Sequence, residues 1–252
     1  MSKTPLSVIV ITKNEERNIR ECLESVRFCD DVVVVDAEST DATVSIAKEC
    51  GATVIVRPWT GFAAAKQFAV TQTKHPWVLW LDADERVMPE LQRELEQLVP
   101  VEPSAAAFTV ARRAYFLGRW IRHSGWYPGR VARLFRKDRA RFNDASVHEG
   151  LAIDGTIGEL KNDLIHLTDP NILHYFSKFN KYTSLAAADL AAKQRTFAIS
   201  DIIIRPWWQF MKMYFFRRGF LDGKEGLLLA LFSSAYVFTK YAKLWERNTS
   251  SH

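Results

Sequence analysis

Three acidic residues stand within four positions directly after an apolar run. The run is Trp77-Val78-Leu79-Trp80-Leu81, and Asp82-Ala83-Asp84-Glu85 follows it. Five consecutive apolar residues are typical of a central strand in a covered parallel sheet, and open α/β folds bind ligands at the carboxyl ends of such strands. Two carboxylates there can share a divalent cation that leaves positions for nucleotide phosphates. The pattern predicts such a metal site or, equally, acids that cap the helix beginning near Pro89.

The elements that must position these acids alternate along the chain. Apolar runs predict strands, and residues at helical spacing between them predict helices. The predicted strands are residues 7–11, 31–36, 53–56 and 77–81. This alternation predicts βαβ units with right-handed crossovers in a doubly wound, mostly parallel sheet.

Beyond a break at residues 100–104, the pattern becomes irregular before it turns helical. Strands are predicted at residues 107–110 and 131–135, and glycine turns at Asp154-Gly155 and Ile157-Gly158 predict hairpins in residues 151–167. Helices are predicted for residues 171–195 and again from Pro206 onwards.

Composition bounds the class of protein. The 252 residues are 48% hydrophobic and 25% charged, with a net charge of +5, which is typical of a globular protein rather than a disordered one. Cys22, Cys29 and Cys50 have no metal-ligand spacing, so we expect small core residues in a reducing compartment. The amino-terminal residues contain no secretory signal, and we therefore expect a protein on the cytoplasmic side of the membrane.

Three segments, each at the end of a predicted strand, together resemble the signatures of inverting family 2 glycosyltransferases of GT-A fold. They are residues 8–16, 34–43 and 82–85. Several later segments are similar to the branch of the family that adds glucose to the inner core of lipopolysaccharide. These segments are residues 118–120, 125–128, 133–135, 147–149 and 221–224.

The resemblance implies an α/β protein with a Rossmann-like GT-A fold and two regions. Residues 1–170 would form the catalytic domain, with a nucleotide-binding half at 1–103 and an acceptor-binding half at 104–170. Residues 171–252 would form a helical, membrane-associated region.

The resemblance also assigns a site for the donor and its metal. A UDP-sugar would contact Thr12, Asn14, Glu15, Asp36, Asp82 and Ala83. Asp36 would accept the uracil imide N–H, or instead cap the following helix, and Glu15 would lie beside the base and ribose or stabilise a helix N-terminus. Asp84, Asp82 and His166 would hold Mn²⁺ or Mg²⁺ against the diphosphate, neutralising the leaving group.

Inversion at the anomeric carbon requires a base that takes a proton from the acceptor hydroxyl. Glu149 is the first candidate and Asp144 the second. The acceptor is expected to contact Trp120, Arg122, His123, Trp126 and His148, whose aromatic faces and cations suit sugar rings and phosphates. Packing of this loop on the core, and a purely structural role for His148 and His166, are the alternatives.

The carboxyl-terminal region interleaves aromatic and basic residues. Residues 206–218 and 227–245 have this character, which favours helices lying in the headgroup layer of an anionic inner leaflet, peripheral to the cytoplasmic membrane. Packing on the catalytic domain or on a second copy in a homo-oligomer is the alternative. Nucleic acid is not an expected partner, because the cations form no dense cluster.

The expected function is therefore metal-dependent, inverting transfer of a hexose, glucose by resemblance, from a UDP-sugar to a lipid-linked acceptor. The expected acceptor is the lipopolysaccharide inner core. Another cell-envelope glycan and a non-catalytic membrane protein that binds nucleotide sugars are the alternatives. A nucleotidyltransferase would require a glycine-rich phosphate loop after the first strand, and residues 12–15 do not form one.

Overall fold

The computed structural model describes residues 3–142 and 150–250, and side chains to residue 249. These residues form two compact units. The first unit comprises Met1–Arg112 and Arg130–His166, and the second comprises Arg113–Gly129 and Leu167–His252. Residues 113–129, which the sequence analysis assigned to the acceptor-binding half, thus group with the carboxyl-terminal helices.

The first unit contains the alternating elements that the sequence predicts. Its leading strands are β1 (Thr4–Thr12), β2 (Cys29–Asp36), β3 (Thr53–Val56) and β4 (Trp77–Asp82). Its helices are α1 (Ile19–Glu24), α2 (Thr43–Glu49), α3 (Phe62–Thr71) and α4 (Pro89–Leu98). The four strands are parallel in the order β3-β2-β1-β4, so the predicted parallel arrangement is confirmed.

The core lies on both faces of this sheet, because alternate side chains of a strand point to opposite sides. Along β1, Leu6, Val8 and Val10 pack with α1 and α4, whereas Ile9 packs with α3 on the other face. Strands buried on both faces are apolar at nearly every position, which explains the long apolar runs in the sequence. Cys22 and Cys29 are buried there, and all three cysteines are free.

The remaining strands make the sheet mixed. They are β5 (Glu85–Val87), β6 (Ala107–Phe116), β7 (Arg119–Trp120), β8 (Arg130–Arg136), β9 (Ala140–Phe142), β10 (Leu151–Ile153), β11 (Ile157–Glu159) and β12 (Leu164–Asp169). Strand β8 is antiparallel to β4 and to β6, and β5 is antiparallel to β12.

The hairpins predicted for residues 151–167 are wrong. Strand β10 pairs with β9, and β11 pairs in parallel with β6. Local signals predict the glycine turns, but β10 pairs with the strand that precedes it and β11 pairs with a strand far away in the sequence. A two-residue hairpin does occur in the second unit, where Leu117 and Gly118, both at positive φ, join the end of β6 to β7. Strand β6 therefore extends beyond its predicted end.

The second unit is built on three long helices. They are α5 (Ile172–Ala192), α6 (Ser200–Met211) and α7 (Gly223–Ser250). A π-helical turn (Lys212–Phe216) and a 3-10 turn (Gly219–Asp222) join α6 to α7. The small core contains Phe116, Ile121, Met213, Leu229 and Ala230.

The predicted start of a helix at Pro206 is wrong, because α6 begins at Ser200 and contains Pro206. Asp201, in its first turn, accepts hydrogen bonds from the backbone N–H of Ala198 and from the side chains of Arg195 and Arg205. These bonds stabilise the turn that precedes the proline. Among the described residues, no helix is both long and apolar enough to cross a membrane.

Candidate active site

The first part of the site lies where β1 and β2 end side by side. Parallel pairing aligns Thr12 with Asp36. The Asp36 carboxylate is fully buried and accepts hydrogen bonds from Thr12 Oγ1 (2.9 Å), Ser39 N (2.8 Å) and Ser39 Oγ (2.5 Å). A carboxylate has about four acceptor positions. Asp36 thus shapes the loop after β2 and, within the described part of the chain, keeps one acceptor position. The alternative that it caps the following helix is wrong, because the N-cap of α2 is Ala42 and has no side-chain hydrogen bond.

The loops after β1 and β2 are bonded to each other. Asn14, at a φ of 55°, donates its backbone N–H to Ser39 Oγ (2.7 Å), and its side-chain oxygen accepts from Thr40 N (2.9 Å). The Glu15 backbone N–H donates to Thr43 Oγ1 (2.8 Å), and its carboxylate accepts from Asn18 Nδ2 (2.8 Å) just before α1. Thr12, Asn14 and Asp36, three of the predicted donor-site residues, therefore belong to one hydrogen-bond network that runs through Ser39.

The acidic turn follows β4 at the same edge, since Ile11 of β1 pairs with Asp82. Arg86 holds the shape of the turn, because its Nη1 donates to the carbonyl oxygens of Ala83 (2.8 Å) and Glu85 (2.9 Å). Ala83 is buried within the turn. The turn is thus fixed by the guanidinium that immediately follows it in sequence.

His166 is brought to this turn by strand pairing. Strand β5 begins at Glu85 and pairs with β12, which places Glu85 opposite His166. As a result, His166 Nε2 lies 3.5 Å from Asp84 Oδ2, and the two side chains are 17% and 19% exposed. The predicted proximity of these two groups is therefore present.

The other acids of the turn contact an arginine that the sequence analysis did not assign to the site. Arg133 Nη2, on β8, lies 2.5 Å from Asp82 Oδ2 and 2.7 Å from Glu85 Oε1. Arg133 and Glu85 are buried, whereas the Asp82 side chain is 42% exposed. The available signal was an arginine inside a predicted apolar strand, where a cation requires a buried partner.

This arrangement perturbs the acids in opposite directions. Burial raises the pKa of the Glu85 carboxyl, although Arg133 opposes the shift. Burial also acts to raise the pKa of Asp82, but the charges of Arg133 and Lys66 outweigh it and hold that pKa below its usual value. Asp82 is therefore kept ionised at the edge of the sheet.

Trp80 lies between the two cations. The guanidinium of Arg133 is 3.9 Å and the ammonium of Lys66 is 4.0 Å from its ring centroid. Arg133 Nε and Trp80 Nε1 are buried and have no hydrogen-bond partner within the described part of the chain. Buried donors normally have partners, so Arg133 and Trp80 retain unused hydrogen-bonding capacity beside the acids.

A carboxylate and an imidazole are ligands that suit a divalent cation such as Mn²⁺. Asp84 and His166 fit this requirement, whereas Asp82 is turned towards Arg133. In residues 3–142 and 150–249, no three His, Cys, Asp or Glu side chains converge as a ready metal site. The protein therefore supplies a pair of candidate ligands.

The predicted acceptor residues of the second unit also contact one another. The guanidinium of Arg122 lies 4.3 Å from the ring centroid of Trp120. His123 Nδ1 is 3.0 Å from Asp222 Oδ1. Trp126 packs edge-on against the core residue Phe116, with ring centroids 6.1 Å apart, which is the packing alternative for this residue. The other candidates, Asp144, His148 and Glu149, lie outside the described residues.

The chain is similar to known glycosyltransferases. The model of the family described as glycosyl transferase family 2 matches residues 7–153. The lipopolysaccharide core biosynthesis glycosyltransferase LpsC of Rhizobium meliloti is 30% identical over 253 residues, which cover 98% of this chain and 94% of that protein. An uncharacterized glycosyltransferase of Rickettsia typhi is 32% identical over 258 residues, which cover 98% of this chain and 88% of that protein.

Among solved structures, the mannosyltransferase PcManGT of Pyrobaculum calidifontis, in complex with GDP-Man and Mn²⁺, is similar in fold. The TM-score is 0.57 at 15% identity, and the match covers 97% of this chain and 88% of that one.

Proposed function

The chain belongs to glycosyl transferase family 2 and has the GT-A fold expected from its sequence, and on that premise we propose that it transfers a hexose from a UDP-sugar, with inversion, to a lipid-linked saccharide. The proposed acceptor is the inner core of lipopolysaccharide, since LpsC is named for core biosynthesis. The proposed donor is UDP-glucose, which follows from the resemblance of residues 118–120, 125–128 and 221–224 to the glucose-adding branch.

One observation carries the proposal. Asp84 and His166 lie 3.5 Å apart at the carboxyl edge of the parallel strands, where α/β folds bind nucleotides. These two residues would hold Mn²⁺ or Mg²⁺, and a bound cation supplies Lewis-acid stabilisation to a departing diphosphate. The complex of PcManGT with GDP-Man and Mn²⁺ is consistent with this cofactor.

The surrounding residues bind and orient the donor. The loops that hold Thr12, Asn14, Glu15 and Asp36 would receive the nucleoside, with the remaining acceptor position of Asp36 directed to the uracil imide. That position is buried, so binding requires the loop after β2 to move. Lys66 and Arg133 place positive charge beside Asp82, which favours the negatively charged diphosphate.

Proton transfer is assigned to a carboxylate. Glu149 would accept the proton of the acceptor hydroxyl, and Asp144 is the second candidate. Removing that proton as the new bond forms makes the oxygen a better nucleophile.

Access to a lipid-linked acceptor is assigned to the second unit, at the cytoplasmic face of the inner membrane. On α6, Ile203, Ile204, Trp207 and Trp208 are each at least half exposed. They recur at helical spacing and form an apolar stripe, and Phe216 and Arg218 are exposed beyond it. Exposed tryptophans beside cations suit an interfacial helix on an anionic leaflet.

The test is a UDP-release assay with purified protein, Mn²⁺, a panel of nucleotide sugars and core lipid as acceptor. We expect release that requires the acceptor and is fastest with UDP-glucose. Faster acceptor-dependent release from a different sugar nucleotide would identify that nucleotide, and not UDP-glucose, as the donor. Absence of acceptor-dependent release with every donor and every cell-envelope glycan would reject transferase activity and leave a protein that only binds nucleotide sugars.

A further inference from the structure

The second unit contains a shallow, solvent-open cavity of about 550 Å³ whose lining is basic. Arg122, His123 and Arg217 contribute to its wall together with Gly125 and the Tyr127-Pro128-Gly129 segment, and none of the acidic residues that the structure describes lines it. The volume falls in the range of small-molecule sites. A cavity that concentrates cations and excludes carboxylates is suited to an anion.

The guanidiniums of Arg122 and Arg217 have no ion-pair partner in the part of the chain that the structure describes. Among the described residues, neither Arg122 nor Arg217 has a carboxylate oxygen within 4.0 Å of a side-chain nitrogen. This contrasts with Arg195 and Arg205 of the same unit, which both bond to the buried Asp201. Arginines without a carboxylate partner retain their charge and most of their donors for a ligand.

Asp222 holds one side of the cavity in place. Its carboxylate is 2% exposed and accepts hydrogen bonds from the backbone N–H groups of Arg122 (3.1 Å) and His123 (2.9 Å). It also lies 3.0 Å from His123 Nδ1. Because a carboxylate accepts hydrogen bonds, Nδ1 carries a proton, and Nε2 remains as the second polar atom of the ring. The buried acid therefore organises the cavity without lining it.

Arg217 forms another side and is fixed by the backbone that it covers. Its carbonyl oxygen accepts from Ser124 N (2.9 Å), and its Nη1 donates to Gly125 O (3.4 Å). Gly125 has a φ of +80°, and a Cβ atom at this position would lie 1.8 Å from Arg217 Nη1. Only glycine combines this backbone conformation with space for the guanidinium.

We propose that this cavity binds a phosphate group carried by the saccharide acceptor. A phosphate monoester carries about −1.5 to −2 charges and three acceptor oxygens, which matches the donors of two arginines. Because the Nδ1 proton of His123 is directed to Asp222, Nε2 adds a donor only when the ring is an imidazolium. A carboxylate would be satisfied by one arginine alone. The attribution to an acceptor rests on the proposed function, whereas binding of phosphate by the cavity does not.

Binding is measured in the full chain through the ring resonances of isotope-labelled histidine, with the His123 signal assigned from His123→Gln. We expect inorganic phosphate and glucose 6-phosphate to move this signal saturably, glucose not to move it, and acetate to bind more weakly. Arg122→Gln and Arg217→Gln should each weaken phosphate binding about tenfold, since each removes charge-assisted hydrogen bonds. Lys224→Gln, which removes an exposed cation outside the cavity, should bind as wild type does.

An unmoved His123 signal, equal binding of acetate, or unchanged affinity in both arginine variants would overturn the site. The histidine signal reports binding without turnover. It therefore shows whether the cavity binds phosphate even if no sugar is transferred to any acceptor. Conversely, if the protein transfers sugar but phosphate does not move the His123 signal, the proposed function stands and the phosphate site is rejected.

Two further experiments distinguish a phosphate of the saccharide acceptor from the phosphate of a lipid headgroup. With core glycolipid as acceptor, phosphatase treatment of the glycolipid should raise the acceptor KM of the wild type to that of Arg217→Gln. The donor KM should not change. With vesicles containing phosphatidic acid, Arg217→Gln should pellet nearly as wild type does. Loss of vesicle binding together with an unaltered acceptor KM would assign the cavity to a lipid headgroup and overturn the attribution to the acceptor.

Discussion

Arg133 and Glu85 form an ion pair inside the first unit, with Nη2 2.7 Å from Oε1 and both residues buried. The same nitrogen contacts Asp82, so a single guanidinium connects the end of β4, the start of β5 and β8. Removing one partner of a buried pair leaves an uncompensated charge. The acidic edge of the sheet therefore depends on Arg133 for its stability as well as its charge.

We expect Arg133→Met to lower the free energy of unfolding by about 3–5 kcal/mol, because Glu85 would be left buried without its nearest cation. Urea unfolding at neutral pH measures the change. Arg27→Met, which removes an exposed arginine paired with Glu24, should cost less than about 1 kcal/mol. The double variant Arg133→Met/Glu85→Met should recover much of the loss, and equal losses in the single and double variants would contradict the pairing.

The pH dependence of stability should report Asp82. Its pKa is lowered in the folded protein, so its ionised form stabilises the fold above the ordinary pKa of 3.8, and this contribution is lost as the pH falls through the folded value. The difference in unfolding free energy between wild type and Asp82→Asn should therefore be larger at pH 6 than at pH 3. A difference independent of pH, or one matched by the exposed Asp154→Asn, would count against the Asp82–Arg133 contact.

The metal assignment predicts that Asp84→Ala abolishes turnover and removes the effect of Mn²⁺ on UDP affinity, because the diphosphate would lose its cation. His166→Ala should also weaken the effect of Mn²⁺ on UDP affinity. Treatment of the wild type with EDTA should have the same consequences as Asp84→Ala. Calorimetric titration of UDP with and without Mn²⁺ gives the readout, and Asp154→Ala serves as the exposed control. Full activity of the wild type in chelator would remove the metal from the mechanism.

The base assignment predicts that Glu149→Gln lowers kcat by roughly 10²–10⁴, the usual contribution of a general base. Donor affinity should not change, since the residue acts on the acceptor. Steady-state kinetics together with UDP binding separates the two effects. If Glu149→Gln has wild-type activity while Asp144→Asn is inactive, the base is Asp144.

The interfacial stripe of α6 predicts salt-sensitive binding to anionic vesicles, to which each nearby cation contributes about 1 kcal/mol. The wild type should pellet at low ionic strength and detach at high salt. Trp207→Ser/Trp208→Ser and Arg218→Glu should weaken pelleting, and Lys48→Glu, an exposed change in the first unit, should not. A chain that ignores vesicles but sediments as a dimer, and becomes monomeric with the tryptophan substitutions, would assign the stripe to a second copy.

The sequence by itself determined the parallel half of the sheet and the placement of acids at its edge. Strand and helix periodicity are local, and consecutive βαβ units leave few alternatives for strand order. Asp36, Asp82 and Asp84 could be located because each directly follows an apolar run.

Only the tertiary structure decided which distant residues reach that edge. His166 was proposed by resemblance, but pairing of β5 with β12 is what brings it to Asp84. The contact of Arg133 with Asp82 and Glu85 depends on antiparallel pairing of β8 with β4. In the second unit, Asp222 and Arg217 meet residues 122–125, although the sequence analysis assigned Arg217 to the membrane. Such contacts depend on long-range pairing and packing, for which a local pattern of residue types carries no signal.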